Sequence, residues 1–300
     1  MKINEAEQWL RQQLQTVYDE QERANIANMI LEHLTRLSRL ERVSKKDEPL
    51  NVHQLHQLTE IAQRLLHNEP VQYILGNAWF AGMKLYVDKA VLIPRPETEE
   101  LVEWIVNDVK QKGLNVFNKE TTDADETTQL KILDVGTGSG CIALALKKKM
   151  PKAEVWGCDI SEEALNIARR NGSELNIRVD FQGVNFLDEA QQKFLPTVDI
   201  IVSNPPYIPS QEKETMNANV VNHEPHTALF VPDNDALIFY KALAQFGKNR
   251  LHKNGTIYAE IHEGLANDIT VLFETEGYAN VELKKDMQGK DRMVKATSGD

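Results

Sequence analysis

The sequence predicts an α/β protein: a mostly parallel sheet with helices on both faces, preceded by a small helical bundle. Three observations carry that expectation. Residues 131–261 alternate short, apolar, β-branched runs with helical stretches, the order that builds a parallel sheet. Residues 3–70 show helical periodicity and no strand pattern. The residues with chemistry to offer stand at strand ends: a glycine turn after the first run, an aspartate after the second, and Asn204-Pro205-Pro206-Tyr207 after the fourth. Open α/β sheets bind their ligands at the carboxyl ends of strands.

The helical part comes first. Trp9, Leu10, Leu14 and Val17 form one apolar stripe. Ile26, Met29, Ile30, Leu34 and Leu37 form a second, and Leu55, Leu58, Ile61, Ala62, Leu65 and Leu66 a third. Pro49 and Pro70 punctuate them. No catalytic constellation lies here, so residues 1–75 read as a separate recognition domain. Arg36, Arg39, Arg42, Lys45 and Lys46 cluster on and after the second helix. A solvated face is the simpler reading of that run, and contact with an acidic partner the sharper one.

Residues 76–98 read as a hairpin and linker, with the turn at Ala81-Gly82. Pro94-Arg95-Pro96 makes a stiff loop, and Thr98 is placed to cap the next helix, whose stripe is Leu101, Val102, Ile105 and Val109. That loop reads equally as a connector or as a lip of the site, with Arg95 or Glu97 facing ligand. Residues 115–129 are polar and acidic, the composition of a mobile loop. Within a domain spanning 99–300, strands are expected at 131–135, 155–158, 179–182, 198–202 and 256–261. Helices are expected at 142–149 and 162–171, around Ile238–Phe246 and at 265–276, and an antiparallel edge pair at 278–284 and 292–296.

Composition narrows the function classes. Apolar content of 41% and charged content of 26% are those of a globular protein able to bury a full core. No run approaches a membrane span, and the first residues do not form a signal peptide. Two cysteines, Cys141 and Cys158, make no disulfide framework or metal-ligand spacing, and the eight histidines form no ligand cluster. A reducing, cytoplasmic location fits. The net charge of −11 is uneven: residues 1–90 carry 11 basic and 12 acidic side chains, and the rest 23 and 33. That balance disfavours a protein that grips nucleic-acid phosphates.

The strand-end motifs specify more. Gly136-Thr137-Gly138-Ser139-Gly140 lets a ligand approach backbone at a helix N-terminus. The spacing differs from the dinucleotide G-x-G-x-x-G. Asp159, 23 residues after Gly136, offers a carboxylate for two ribose hydroxyls. Asn204 follows a strand buried on both faces, and the two prolines stiffen the loop that holds it. The Asn204 side-chain oxygen and the Pro205 carbonyl accept hydrogen bonds from a planar NH2 group, and the Tyr207 ring offers a face for stacking. Together these residues place an adenosine-type cofactor beside a planar-amide site, a combination that fits S-adenosylmethionine.

On these motifs the sequence resembles the class I methyltransferases that act on planar amino groups. Glu69-Pro70-Val71-Gln72-Tyr73-Ile74-Leu75-Gly76, Leu92-Ile93-Pro94-Arg95-Pro96-Glu97-Thr98-Glu99, Glu224-Pro225 and Asp291-Arg292-Met293-Val294 further resemble the HemK/PrmC protein-(glutamine) methyltransferases. The resemblance covers roughly residues 5–296. It implies a Rossmann-like sheet of seven strands and a helical domain that recognises substrate. It implies methyl transfer from S-adenosyl-L-methionine, leaving S-adenosyl-L-homocysteine, to the Gly-Gly-Gln glutamine of class 1 peptide chain release factors, without metal, nucleic acid or membrane. On this reading Gly136, Thr137, Gly138, Ser139, Gly140, Asp159, Asn185, Phe186 and Asn204 contact the cofactor. Asn204, Pro205, Pro206 and Tyr207 hold the substrate, with Asn204, Pro205 and Tyr207 at the reacting centre. Members often carry an acidic residue where Val184-Asn185-Phe186 stand here. The rival readings are a ribosomal-protein glutamine methyltransferase, an adenine N6-methyltransferase and a non-catalytic module retaining the cofactor fold.

Overall fold

The computed structural model describes residues 1–114, 116–117 and 130–299. Apart from Val116 and Phe117, the polar loop expected over 115–129 lies outside the described residues. The chain forms two compact units, Met1–Asn77 with Asn217–His223, and Ala78–Met216 with Glu224–Asp300.

The first unit is helical: α1 (Ile3–Gln13), α2 (Glu20–Thr35), α3 (Arg39–Ser44), α4 (Val52–Leu66) and α5 (Val71–Leu75). Side chains set the helix starts. Asp19 accepts the Glu22 N–H, and Ser38 with Glu41 and Asn51 with Gln54 form capping boxes. The core joins Ile3, Ala6, Leu10 and Leu14 to Ile26, Ile30 and Leu34 and to Leu58, Ile61 and Leu65. Two expectations change here. Leu66 is exposed, because α4 turns it away from the stripe that Leu58, Ile61 and Leu65 bury. Arg42 is not on a solvated face. It is buried, and its guanidinium donates to the Leu37 carbonyl and to Asn28 Oδ1, which satisfy a cation held out of water.

The second unit opens with the hairpin β1 (Ala78–Phe80) and β2 (Met83–Leu85), whose turn residues Ala81 and Gly82 both have positive φ. Then follow α6 (Pro96–Gln111), β3 (Lys131–Val135), α7 (Cys141–Lys149), β4 (Glu154–Asp159), α8 (Glu162–Leu175), β5 (Asp180–Gly183), α9 (Glu189–Gln192) and β6 (Val198–Ser203). After β7 (Ile208–Pro209) the chain leaves for α10 (Ala218–His223), the segment that belongs to the helical unit, and returns to β8 (Phe230–Val231). It closes with α11 (Ile238–Arg250), β9 (Leu251–Glu260), α12 (Ala266–Thr275), β10 (Tyr278–Lys285) and β11 (Asp291–Ser298).

The main sheet has seven strands in the order β10-β11-β9-β6-β3-β4-β5. The five strands from β9 to β5 run parallel, and β11 pairs antiparallel with both its neighbours. Two apolar cores cover its faces. Ile200 and Val202 of β6 point to the side of α6 and α7, and Ile201 to the side of α11 and α12. The carboxyl ends of β3, β4, β6 and β9 therefore lie side by side at one edge of the sheet. Among the described residues no helix is long and apolar enough to cross a membrane.

Candidate active site

A cavity of about 360 Å³ opens at that edge, a size suited to a small-molecule ligand. Its floor is the turn after β3. Gly136, Gly138 and Gly140 all take positive φ, which bends the chain back tightly enough to start α7 at Cys141. The Gly136 and Thr137 N–H groups donate to the Cys158 carbonyl at 2.9 Å, tying the turn to β4. Gly157 lets β4 come this close, because a Cβ there would stand 2.8 Å from Thr137 Oγ1 and from Phe181. Buried Asn171 of α8 holds the other side, donating to the Ser139 carbonyl at 2.9 Å and to the Tyr86 carbonyl at 3.0 Å.

Gly136, Thr137, Gly138 and Ser139 line the cavity; Gly140 does not. It sits behind the turn, where an added Cβ would press on Ala168, Phe181 and Leu144 at 3.1–3.2 Å. Its work is to let α7 pack on α8. Ser139 Oγ is buried without a hydrogen-bond partner among the described residues, a polar atom left for a ligand on the floor.

Asp159 lies in the wall at the end of β4. Its carboxylate accepts the Gly138 N–H at 2.9 Å and the Ser161 N–H at 3.0 Å, and burial pushes its pKa up despite both bonds. The Ile160 N–H bonds it too, and the carboxylate still keeps acceptor capacity beyond these backbone donors. Beside it stand Ile160 and, following β5, where the Val184 N–H donates to the Asp159 carbonyl at 2.9 Å, Asn185, Phe186 and Leu187. Asn185 Oδ1 already accepts the Leu187 N–H at 3.1 Å, and Phe186 is buried edge-on against Phe246, so both shape this wall. The apolar pair Ile160 and Leu187, 65% and 40% exposed, offers faces for a flat ring; the sequence reading passed over both.

The opposite end holds Asn204, Pro205 and Pro206. Register sets Asn204: Ser203 of β6 pairs with Ala259 of β9, so the next residues, Asn204 and Glu260, are neighbours. Asn204 Nδ2 donates to Thr98 Oγ1 at 3.0 Å, and Thr98 Oγ1 donates to Glu260 Oε2 at 2.7 Å. Thr98 thus does not cap α6. The helix starts two residues earlier at Pro96, whose missing N–H and fixed φ suit a first turn, and Thr98 is buried on its inner face. Tyr207 also departs from expectation. It lies outside the cavity wall, its ring packs beside the second core, and its hydroxyl donates to Glu260 Oε1 at 3.0 Å. Burial raises the Glu260 carboxyl, against the hydrogen bonds from Thr98 and Tyr207 and the nearby charge of Arg292. Sequence reasoning missed Glu260, although a lone acid closing the buried run Ile257-Tyr258-Ala259 was a usable signal.

Of the loop's two candidate side chains, Arg95 lines the cavity and pairs with Glu224 at 2.5 Å, while Glu97 does not line it. The Glu224 side chain is buried and also accepts the Ile93 N–H at 3.3 Å. Beneath the floor, Asp134 is fully buried; Oδ2 accepts from Thr137 and the Ala143 N–H, while Oδ1 has no partner among the described residues. Burial lifts its pKa to about 7. Cys141, in the cavity wall, has its thiol pushed up to about 12 by burial, with Asp134 adding to the shift, and buried Cys158 is raised as well.

Sheet order, glycine turn and strand-end carboxylate define a class I methyltransferase. The family model described as Methyltransferase small domain matches residues 114–229, and that of the PrmC N-terminal domain matches residues 5–76. Among solved structures, the hMettl16 catalytic domain superposes with a TM-score of 0.53 over 82% of this chain and 81% of that one, at 15% identity, a likeness of fold. A release factor glutamine methyltransferase of Flavobacterium psychrophilum is 41% identical over 95% of both chains. One of Bacteroides thetaiotaomicron is 42% identical over 98% of this chain and 99% of its own. The chain belongs to the release factor glutamine methyltransferase family.

Proposed function

We propose that this enzyme moves a methyl group from S-adenosylmethionine to the side-chain nitrogen of the Gly-Gly-Gln glutamine in class 1 peptide chain release factors. The observation that carries the reading is the pairing, in one cavity, of the glycine floor and Asp159 with Asn204 and Pro205 at the other end. The residues present fit the cofactor. Ser139 Oγ is an unpartnered polar atom on the floor, Asp159 keeps lone pairs for hydroxyls, and Ile160 and Leu187 flank a slot for a flat ring. Bound there, the cofactor supplies a methyl already activated on a sulfonium.

A carboxamide nitrogen is a weak nucleophile because its lone pair is shared with the carbonyl. The protein's part is to hold that nitrogen in line and favour the positive charge that grows on it. Asn204 Oδ1 and the Pro205 carbonyl accept the two hydrogens of the amide NH2, and both acceptors become better partners as charge develops. Pro206 keeps the loop stiff. Tyr207 supports it from behind through Glu260. The helical unit serves to recognise the release factor, and the acidic chain disfavours a nucleic-acid substrate.

The test is incubation with labelled S-adenosylmethionine and a purified class 1 release factor, followed by peptide mass mapping. One methyl on the Gly-Gly-Gln glutamine is the expected result. Transfer to a ribosomal protein or to adenine instead, or to none of these, overturns the assignment.

A further inference from the structure

We propose that Glu260 and Thr98 form a polarity relay that fixes which end of the Asn204 amide faces the acceptor slot. The inference rests on the reading of Asn204 as the acceptor of the substrate NH2 and deepens it. An asparagine amide is nearly symmetric in shape, so packing alone does not distinguish its oxygen from its nitrogen. The difference decides catalysis. With Oδ1 toward the slot, Asn204 accepts from the substrate; with Nδ2 there, two NH2 groups oppose each other.

The hydrogen-bond chain removes the ambiguity. Thr98 Oγ1 has one proton to give, and two neighbours claim it: Glu260 Oε2 at 2.7 Å and Asn204 at 3.0 Å. Glu260 receives hydroxyl donors on both oxygens, from Thr98 and from Tyr207, the pattern of a carboxylate, which only accepts. The Thr98 proton therefore goes to Glu260, which leaves Thr98 only lone pairs to present to Asn204. Asn204 must answer with Nδ2–H, and Oδ1 is turned to the opposite side. Thr98 and Glu260 are each 2% exposed, so water does not compete for these bonds. Strand register places Asn204 beside Glu260, and the first turn of α6 places Thr98 between them. Both are positioning residues, acting through Asn204.

The experiment compares wild type, Thr98→Val, Thr98→Ser, Thr98→Ala, Asn204→Ala and the Thr98→Val/Asn204→Ala double variant. Valine keeps the shape and removes the hydroxyl; serine restores it. Single-turnover transfer at saturating cofactor is expected to fall about tenfold in Thr98→Val, the scale of one hydrogen bond, with cofactor affinity unchanged. Serine should restore most of the rate, and valine should add little once Asn204 is already alanine. A role in packing alone predicts instead that valine equals wild type, or that its defect multiplies in full with that of Asn204→Ala; either result overturns the relay. Thr98→Ala serves if the valine variant does not fold. A further readout needs no turnover. In 15N spectra of the wild-type enzyme, the Asn204 side-chain NH2, assigned by its loss in Asn204→Ala, should exchange with water more slowly than exposed asparagine amides. Exchange at the exposed rate overturns the relay, whereas absence of methylation on release factor overturns only the functional reading beneath it.

Discussion

On the proposed mechanism, a single atom of Asn204 decides the outcome. Asn204→Ala removes the acceptor but leaves both prolines, so fold and cofactor affinity should hold while single-turnover methyl transfer drops by roughly 10²–10³-fold. Asn204→Asp does worse than its size implies, because it sets a second carboxylate against Thr98, whose one proton already belongs to Glu260. Asp159 sits at the other end with a double duty. It braces the glycine turn through the Gly138 N–H, and its remaining lone pairs face the cavity. Asp159→Ala should weaken S-adenosylmethionine binding about tenfold or more, as hydrogen bonds to a charged group are lost, and calorimetry checks this. An unchanged affinity would remove the residue from the cofactor site. Asp134 makes a pH prediction. Its carboxyl holds a proton in the folded protein to about pH 7, while the unfolded chain releases it near the ordinary carboxylate value of 3.8. Between those values the folded state binds the extra proton, so this group's contribution to stability falls as pH rises, and levels off above the folded pKa. Denaturant titrations across that window should show the decline in wild type and a flatter profile in Asp134→Asn.

At the scale of elements, strand ends were easier to read than helix starts. The runs that became β3, β4 and β6 were legible because a strand buried on both faces leaves a nearly continuous apolar signature, broken only where the turn begins. Glycine turn, Asp159 and Asn204 follow directly from such breaks. What stayed hidden depends on partners distant in sequence. Thr98 looked like a cap because local sequence cannot show that Glu260, at the end of β9, will take its hydroxyl. Tyr207 looked like a stacking face for the same reason. The residues after β7 gave no periodic signal, since α10 is short and rests on a different unit from its chain neighbours. Gly157 was equally silent: its importance is the close approach of Thr137 and Phe181, 2.8 Å from where a Cβ would stand, not a turn. Gly157→Ala should therefore cost about 1–3 kcal/mol by overpacking. It should also loosen cofactor binding, because Thr137 must move. Thermal unfolding and cofactor titration together test it, and a variant with wild-type values for both would show that the turn yields freely.

For the whole molecule, the proposed function divides the labour between the two units, and truncation probes that division. An enzyme lacking residues 1–77 should still bind S-adenosylmethionine and methylate a short Gly-Gly-Gln peptide, yet act poorly on intact release factor. Equal loss on peptide and protein would place the damage in the acceptor slot, reached through the chain that runs from α10 into Glu224 and Pro225. The two cysteines have a use of another kind. Both border the cavity, Cys141 half-buried and Cys158 fully buried in the second core, and both thiols are held protonated far above neutral pH. Alkylating reagents attack the thiolate, so neither should react appreciably in the closed protein. Reaction then counts openings: that of Cys158 follows loss of the sheet's interior, and that of Cys141 the looser breathing of the glycine turn. Saturating S-adenosylmethionine should slow labelling of both, and fully buried Cys158 should remain the slower of the two. The native chain thus carries two chemical clocks, readable by mass spectrometry, that time the loosening of its floor separately from the unfolding of its core.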